Sequence, residues 1–254
     1  MLNFATNTAR EAGRILAERF GRVHINYKQN DIDLVTEADL AAEAYILEQI
    51  RTHHPRHAIL AEESGVTETA GAEYRWIIDP LDGTTNYAHG YPCFCVSIGL
   101  AHKGELVVGA VYDPTRDEMF AAEKGAGATL NGRRMRVSET EELKRALVCT
   151  GFPYNVRERP DFMREWRNFT LHAHGVRRDG SAALDLAYVA AGRFDAFWED
   201  GLNPWDMAAG ALLVTEAGGR VTNYVNGPLD IYQPPIVASN GLIHDSMLQV
   251  LRLP

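Results

Sequence analysis

Two carboxylates, a glycine and two hydroxyls stand together in Asp79-Pro80-Leu81-Asp82-Gly83-Thr84-Thr85-Asn86-Tyr87, directly behind the hydrophobic run Trp76-Ile77-Ile78. Pro80 disfavours the helical region for the residue before it, so Asp79 is expected in extended conformation at the end of a buried strand, with its carboxylate projecting from a rigid edge. Asp82 precedes Gly83-Thr84-Thr85. In such a sequence Asp can cap a helix, and Gly lets a ligand approach the backbone closely. Free amides at a helix start favour anions. Two acids beside an anion site, about 4 Å apart, would repel by roughly 4 kcal/mol at an effective dielectric of about 20. A bound Mg2+ removes the conflict, because hard divalent cations take oxygen ligands and bridge carboxylates to phosphate oxygens. The stretch therefore reads as a metal and phosphate site. An Asp-Pro turn followed by a capped helix would use the same residues with no ligand at all.

The elements around this stretch decide which other acids can reach it. Residues 2 to 19 carry Phe4, Ala5, Thr8, Ala12, Ile15, Leu16 and Arg19 at helical spacing, with Gly21 as the stop. Lys28 to Val35 reads as a loop or short hairpin. Thr36-Glu37-Ala38-Asp39 starts a second helix, with Thr36 as cap and Asp39 in the first turn, where an acid also suits the macrodipole. Pro55 ends that region, and His53-His54-Pro55-Arg56-His57 reads as a solvated loop. Ala58 to Ala61 is a short buried strand that delivers Glu62, Glu63 and Ser64 to its end, and pairing with the strand that ends at Asp79 could bring Glu62 and Asp79 together. Phe94 to Ala101, Leu106 to Tyr112 and Met119 to Ala122 form an antiparallel meander. Asn131-Gly132 turns Thr129-Leu130 back onto Met135 to Val137.

A second half begins near residue 140, which divides the chain into about 1–140 and 141–254 with no flexible linker between them. Ala146 to Thr150 is a strand, residues 160 to 172 an amphipathic helix, and Gly180-Ser181 opens a helix over Ala182 to Ala191. The strand Phe194 to Trp198 follows. Asn203-Pro204-Trp205-Asp206 is a well-formed helix start, with Asn as cap, Pro at the first position and Asp206 in the first turn. Ala209, Leu212, Leu213 and Ala217 make its apolar face, and Gly218-Gly219 stops it. Ile236 to Ser239 is a late strand and His244 to Leu251 a closing helix.

Composition excludes several classes. A chain of 254 residues with 46% hydrophobic content has ample core for one large unit, and is neither disordered nor fibrous. The balance of 25 basic against 34 acidic residues, net charge -9, suggests no general nucleic-acid affinity. Charged Arg10, Glu11 and Arg14 interrupt the first helix, and no apolar run is long enough to span a bilayer, so a soluble cytoplasmic protein with no membrane partner is expected. Cys93, Cys95 and Cys149 form no disulfide framework and read as small core residues.

Three blocks occur in the order and spacing that resemble the inositol monophosphatase family, in the wider group that includes fructose-1,6-bisphosphatases. They are Ala61-Glu62-Glu63-Ser64, Trp76 through Tyr87, and Pro204-Trp205-Asp206 running to Glu216-Ala217-Gly218-Gly219. The likeness covers almost the whole chain, including Leu34 to Asp39, Asn131-Gly132 and Gly180 to Ala183. It implies an α/β sandwich of alternating αβαβα layers and Mg2+-dependent hydrolysis of small phosphate monoesters by in-line attack of water. By position, it implies that Glu62, Asp79 and the backbone carbonyl of Leu81 hold one Mg2+ and Asp79, Asp82 and Asp206 a second, with Glu62 facing a third, weaker ion. Glu62 and Thr84 would orient and deprotonate the attacking water, Asp39 would hold the Thr84 hydroxyl, and the amides of Gly83 and Thr84 would take phosphate oxygens. Glu199 would contact ring hydroxyls, with Gly180, Ser181 and Ala182 facing substrate. Read without the likeness, Glu199 is an exposed acid in a turn beside Asp200.

The family resemblance also implies a homodimer and lithium sensitivity. Thr84-Thr85-Asn86-Tyr87 is similar to inositol monophosphatases rather than to nucleotide-phosphate phosphatases, which commonly have Lys after the first Thr. Arg177 to Leu186 resembles bacterial members, apart from Asp179, whose added charge near the pocket would shift the choice of ester. A phosphorylated polyol, myo-inositol 1-phosphate first, is the expected substrate. Histidinol phosphate, fructose 1,6-bisphosphate, 3'-phosphoadenosine 5'-phosphate and a regulatory binding role are the alternatives.

Overall fold

A computed structural model describes residues 1–21, 25–27, 34–152, 162–233 and 235–254. The loop expected over 28–33, the side chain of Thr36 as a cap, Pro153-Tyr154, and the first two residues of the helix expected from 160 lie outside the described residues.

The first half alternates helices with a long meander. Helix α1 (Leu2–Arg19) buries Ala5, Ala9, Ala12 and Leu16 at helical spacing and ends before Gly21, whose φ of 75° is the left-handed stop expected there. A two-stranded hairpin, β1 (Ile25–Tyr27) with β2 (Leu34–Thr36), leads into α2 (Glu37–His53). Then come β3 (Ala58–Ala61), β4 (Gly65–Thr67), β5 (Tyr74–Asp82) and the five-residue helix α3 (Thr84–Ala88). The meander follows as β6 (Cys95–His102), β7 (Glu105–Asp113), β8 (Glu118–Glu123), β9 (Gly127–Leu130) and β10 (Arg133–Arg134). These strands make an eight-stranded sheet in the order β10-β9-β8-β7-β6-β5-β3-β4. The last hairpin corrects the expected return strand. Asn131-Gly132 forces the two residues after it, and not Met135 to Val137, to pair with Leu130 and Thr129.

The second half builds a smaller sheet. Its elements are β11 (Leu147–Thr150), α4 (Phe162–His172), β12 (Gly175–Arg177), α5 (Ala182–Ala190), β13 (Ala196–Glu199), α6 (Pro204–Glu216), β14 (Arg220–Thr222), β15 (Ile236–Ser239) and α7 (His244–Leu251). The five strands run β12-β11-β13-β15-β14.

Three apolar clusters fix the layers. One joins α1 and α2 to the outer face of the large sheet through Leu16, Ile46, Trp76 and Ile78. A second holds α5 and α6 between the sheets through Phe120, Leu186, Leu213 and Phe197. The third seals the outer face of the small sheet with α4 and α7 through Phe169, Trp198 and Met247. The result is the expected αβαβα sandwich. Being central explains why α5 is buried along its whole length and why α6 is buried continuously from Met207 to Val214, beyond the single apolar face read from its sequence.

Close seating of α6 needs glycine on the large sheet. A Cβ on Gly109 would meet the Ala209 carbonyl oxygen at 2.7 Å, and one on Gly99 would meet the Ala208 Cβ at 2.9 Å. The histidine stretch is solvated only in part, with His53, Pro55 and Arg56 exposed but His54 and His57 half-buried. His57 stacks between His54, at 4.9 Å, and Tyr74, at 4.8 Å, and accepts the Trp76 indole N–H at 3.1 Å. Burial pushes both His54 and His57 below the usual imidazole range. Among the described residues, no helix is long and apolar enough to cross a membrane.

Candidate active site

Parallel strand pairs aim two sets of side chains at one cleft. In the large sheet β3 runs parallel to β5 with Ala61 opposite Ile78, and the ladder continues as Glu62 N–H donates to the Ile78 carbonyl at 3.1 Å. Glu62 therefore emerges beside Asp79. In the small sheet β11 runs parallel to β13 with Thr150 opposite Trp198, which sets Gly151 beside Glu199. The carboxyl ends of parallel strands are where α/β sheets gather ligands. Helices α5 and α6 begin at the same place, and a cleft of about 130 Å³ is lined by Glu62, Asp79, Asp82, Asp206, Asp185 and Glu199 together with the Gly83 and Ser181 turns.

Asp79 lies within β5 rather than at its end. The strand runs on through Pro80 to Asp82, with an irregularity in register between Asp79 and Asp82 that lets both carboxylates turn to the cleft. Asp79 Oδ1 accepts the Leu81 N–H at 2.9 Å. Asp82 does not cap the helix that follows it. Gly83, at φ 97°, is the residue before α3, and Asp82 instead crosses to α5, where its Oδ2 accepts the Ala183 N–H at 2.7 Å and the Ser181 hydroxyl at 2.7 Å. Gly83 is required twice over, by its left-handed φ and because a Cβ would meet the Cys93 carbonyl oxygen at 2.9 Å.

Asp206 arrives as expected, in the first turn of α6 behind Pro204, with its Oδ2 accepting the Asn203 N–H at 2.7 Å. Oxygens of Asp79, Asp82 and Asp206 lie within 4.8 Å of one another, the compact carboxylate group among the described residues. Glu62 sits outside that trio but bears on Asp79. Burial, then Glu62, Asp82 and Asp206, push the Asp79 carboxyl well above the usual range. Burial and then Asp82 do the same to Asp206. Asp82 is raised by burial, against the pull of the Ser181 hydroxyl and the amides of Ala183 and Ala182. At that separation each like-charged pair costs roughly 3 kcal/mol at an effective dielectric of about 20. A hard cation with oxygen ligands relieves all three pairs at once, so the donor set fits Mg2+.

Thr84 is buried, and its single hydroxyl proton has two acceptors, the Leu81 carbonyl at 3.0 Å and Asp39 Oδ1 at 3.3 Å. Asp39 is fully buried on α2. One turn later on that helix, Glu43 accepts the Glu63 N–H at 2.9 Å, so α2 holds both Thr84 and the backbone next to Glu62.

Glu199 is not an exposed turn residue. It is 7% exposed at the end of β13, and burial raises its carboxyl to about 8 even though Arg178 and the Gly151 amide pull the other way. A Cβ on Gly151 would stand 2.3 Å from both carboxylate oxygens of Glu199, so glycine makes room for the acid. Gly180, Ser181 and Ala182 line the cleft. Asp179 does not; its carbonyl accepts the Asn86 side-chain amide at 2.7 Å, and neighbouring Arg178 faces the cleft in its place. Cys93, Cys95 and Cys149 are buried, and burial pushes all three thiols up, Cys93 to about 12, so none is a nucleophile at neutral pH. Ser64 is exposed. Sequence reasoning gave no role to Thr85, Gly151, Arg178 or Asp185, all of which line the cleft. Only Asp185 left a signal, as an acid inside the otherwise apolar run Ala182 to Ala190.

Residues 1–252 match the family model described as the inositol monophosphatase family. The chain is similar to an inositol-1-monophosphatase of Synechocystis, at 49% identity with 98% of this chain and 88% of the relative covered. It is also similar to the protein named Nus factor SuhB in Pseudomonas aeruginosa, at 46% identity with 99% and 96% covered. The solved inositol monophosphatase structure from Anabaena (Nostoc) superimposes with a TM-score of 0.91 at 50% identity, covering 100% of this chain and 96% of that one.

Proposed function

The chain belongs to the inositol monophosphatase family, and on that premise we propose that it hydrolyses a small phosphate monoester of a polyol, myo-inositol 1-phosphate first, with Mg2+ as cofactor. The observation that carries the reading is the compact trio Asp79, Asp82 and Asp206, with Asp79 and Asp82 buried and Asp206 half-buried, three carboxylates held together at a cost that a bound cation offsets.

Asp79, Asp82, Asp206, Glu62 and the Leu81 carbonyl would hold two or three Mg2+ ions. Bound there, the metal supplies charge neutralisation and Lewis acidity. The remaining work falls to this chain's own groups. Thr84 donates its hydroxyl proton to Asp39 or to the Leu81 carbonyl, which leaves Oγ1 lone pairs free to accept from a water. Glu62, at the end of β3, takes the proton of that water as its oxygen attacks phosphorus in line. The Gly83 and Thr84 amides receive phosphate oxygens, and the left-handed turn at Gly83 leaves them clear of a side chain. Glu199 meets the hydroxyls of the alcohol, beside the α5 start at Gly180, Ser181 and Ala182. A homodimer belongs to the same reading through the family likeness, and three buried free cysteines fit a reducing, cytoplasmic setting.

Assaying phosphate release from inositol 1-phosphate, histidinol phosphate, fructose 1,6-bisphosphate, 3'-phosphoadenosine 5'-phosphate and glycerol 2-phosphate, with and without Mg2+, tests the proposal. Inositol 1-phosphate is expected to be turned over fastest, and only with Mg2+. No release from any ester by the wild type with Mg2+ would sink the enzyme reading and favour a second one, a binding role of the same fold, which the relatives named Nus factor bring forward.

A further inference from the structure

Asp185 is the one buried acid of the cleft that has no task in the scheme above. It lies in the first turn of α5 at 1% exposure and lines the cleft, and its Oδ1 has no hydrogen-bond partner among the described residues. An acid near a helix start is ordinarily explained by the free amides there. That explanation fails here, because Asp82 reaches across from β5 and takes the Ala183 N–H at 2.7 Å. Only Oδ1 is left over, since the Cys149 thiol hydrogen-bonds the same carboxyl, and a buried polar atom without a partner persists where a ligand completes it. Burial, then the charges of Asp179, Glu199 and Asp82, push the Asp185 carboxyl up, and the guanidinium of Arg178 pulls the other way.

We infer that Asp185 is a second substrate-hydroxyl acceptor, which with Glu199 reads two hydroxyls of the leaving polyol and makes the cleft selective for polyhydroxylated phosphate esters. The inference rests on the phosphatase reading above and names its alcohol side. Neutral hydroxyls suit the pair better than an ammonium group, for two reasons. Burial biases both acids toward their protonated forms, in which they can donate as well as accept. Arg178 already supplies a positive charge at the same wall. Each hydroxyl donates one hydrogen bond to a carboxyl oxygen that water reaches poorly, so losing one acceptor leaves the substrate hydroxyl unpaired as well.

The test compares wild type, Asp185→Ala and Asp185→Asn on three esters with Mg2+: inositol 1-phosphate, p-nitrophenyl phosphate, which has no hydroxyls, and phosphoethanolamine, which carries an ammonium. For Asp185→Ala we expect kcat/KM on inositol 1-phosphate to fall about 10- to 100-fold, chiefly through KM. Turnover of p-nitrophenyl phosphate should stay within about twofold. Asp185→Asn, which keeps an acceptor oxygen, should recover part of the loss. The thermal midpoint of the Ala variant should change little, since the acid removed keeps one oxygen without a partner. An unchanged KM for inositol 1-phosphate overturns the inference. So does a parallel loss on inositol 1-phosphate and p-nitrophenyl phosphate with a lowered midpoint, which would make Asp185 structural. A wild-type preference for phosphoethanolamine that the Ala variant loses would make the site an ammonium site. If the wild type releases phosphate from none of the three, the phosphatase reading itself falls, and this inference with it.

Discussion

Gly109→Ala should weaken metal binding from a distance, through the seating of α6. The new Cβ would stand 2.7 Å from the Ala209 carbonyl oxygen and 3.1 Å from the Ala209 Cα, against an ordinary contact of 3.4 Å or more. Both clashing atoms are backbone, so no rotamer change relieves them, and α6 must retreat from the sheet by about 0.5 Å or β7 must bend. Overpacking of this kind costs about 1–3 kcal/mol, which for a chain of this size lowers the thermal midpoint by about 3–9 °C. Asp206 sits three residues before Ala209 on the same helix and would move with it. Because Mg2+ holds its ligands near 2.0–2.1 Å in octahedral geometry, a half-ångström shift of one carboxylate should raise the Mg2+ needed for half-saturation about tenfold. The assay is the thermal midpoint as a function of Mg2+ concentration, which reports affinity by linkage. Gly175→Ala serves as the control, since its Cβ would meet only side-chain ends, Leu147 at 3.3 Å and Arg177 at 3.5 Å, on a strand at the far edge of the small sheet. A Gly109→Ala protein with the wild-type midpoint and Mg2+ response would refute the claim that the sheet glycines set the position of Asp206.

Three further outcomes follow from the charges. Asp79→Asn should raise the midpoint of the metal-free protein by a few degrees, by removing the part of the repulsion among the trio that the raised Asp79 carboxyl does not already relieve by holding a proton. The same change should cut phosphate release at least about 100-fold with Mg2+; full activity would remove Asp79 from the site. The folded-state pKa of Glu199, raised to about 8, means that the native chain keeps a proton which the unfolded chain gives up near 4.5. Its contribution to stability is thus fully present below about 4.5 and lost as pH rises through about 8. Melts in EDTA from pH 5 to 8 should show declining stability, and Glu199→Gln should flatten that decline. His244 has the opposite sign. It is buried between the Thr222 and Ser239 hydroxyls, each 2.8 Å from a ring nitrogen, and its pKa is lowered to about 4 by burial. The stability it confers is present above about 6.5 and lost as pH falls toward 4, so His244→Gln should be less sensitive to acid than the wild type, which low-pH melts will measure.

Local pattern carried most of the elements. The helices at Leu2–Arg19 and His244–Leu251 and the strands Ala58–Ala61 and Ile236–Ser239 could be read from apolar spacing and stops, because their boundaries are set by nearby residues. The acids Glu62, Asp79, Asp82 and Asp206 were recognisable as a set from ordered motifs, and the capped start of α6 from Asn203 and Pro204. Strands β4, β12 and β14, of three residues each, escaped, since so short a segment carries no period and is held by its partner strands.

What the sequence determined by itself was which donors exist and on which ends of which elements they stand. Only the tertiary structure decided their partners. Parallel pairing of β3 with β5 set Glu62 beside Asp79, and the Asp82 side chain went to the start of α5, more than ninety residues away, in preference to its own helix. Burial turned Glu199, an exposed turn acid by sequence, and Asp185, to which the sequence assigned no role, into groups of a cleft whose carboxyls are pushed up. The reason is physical: helix and strand formation answer to neighbours along the chain, whereas desolvation and charge repulsion depend on distances that exist only once the two sheets have closed on α5 and α6.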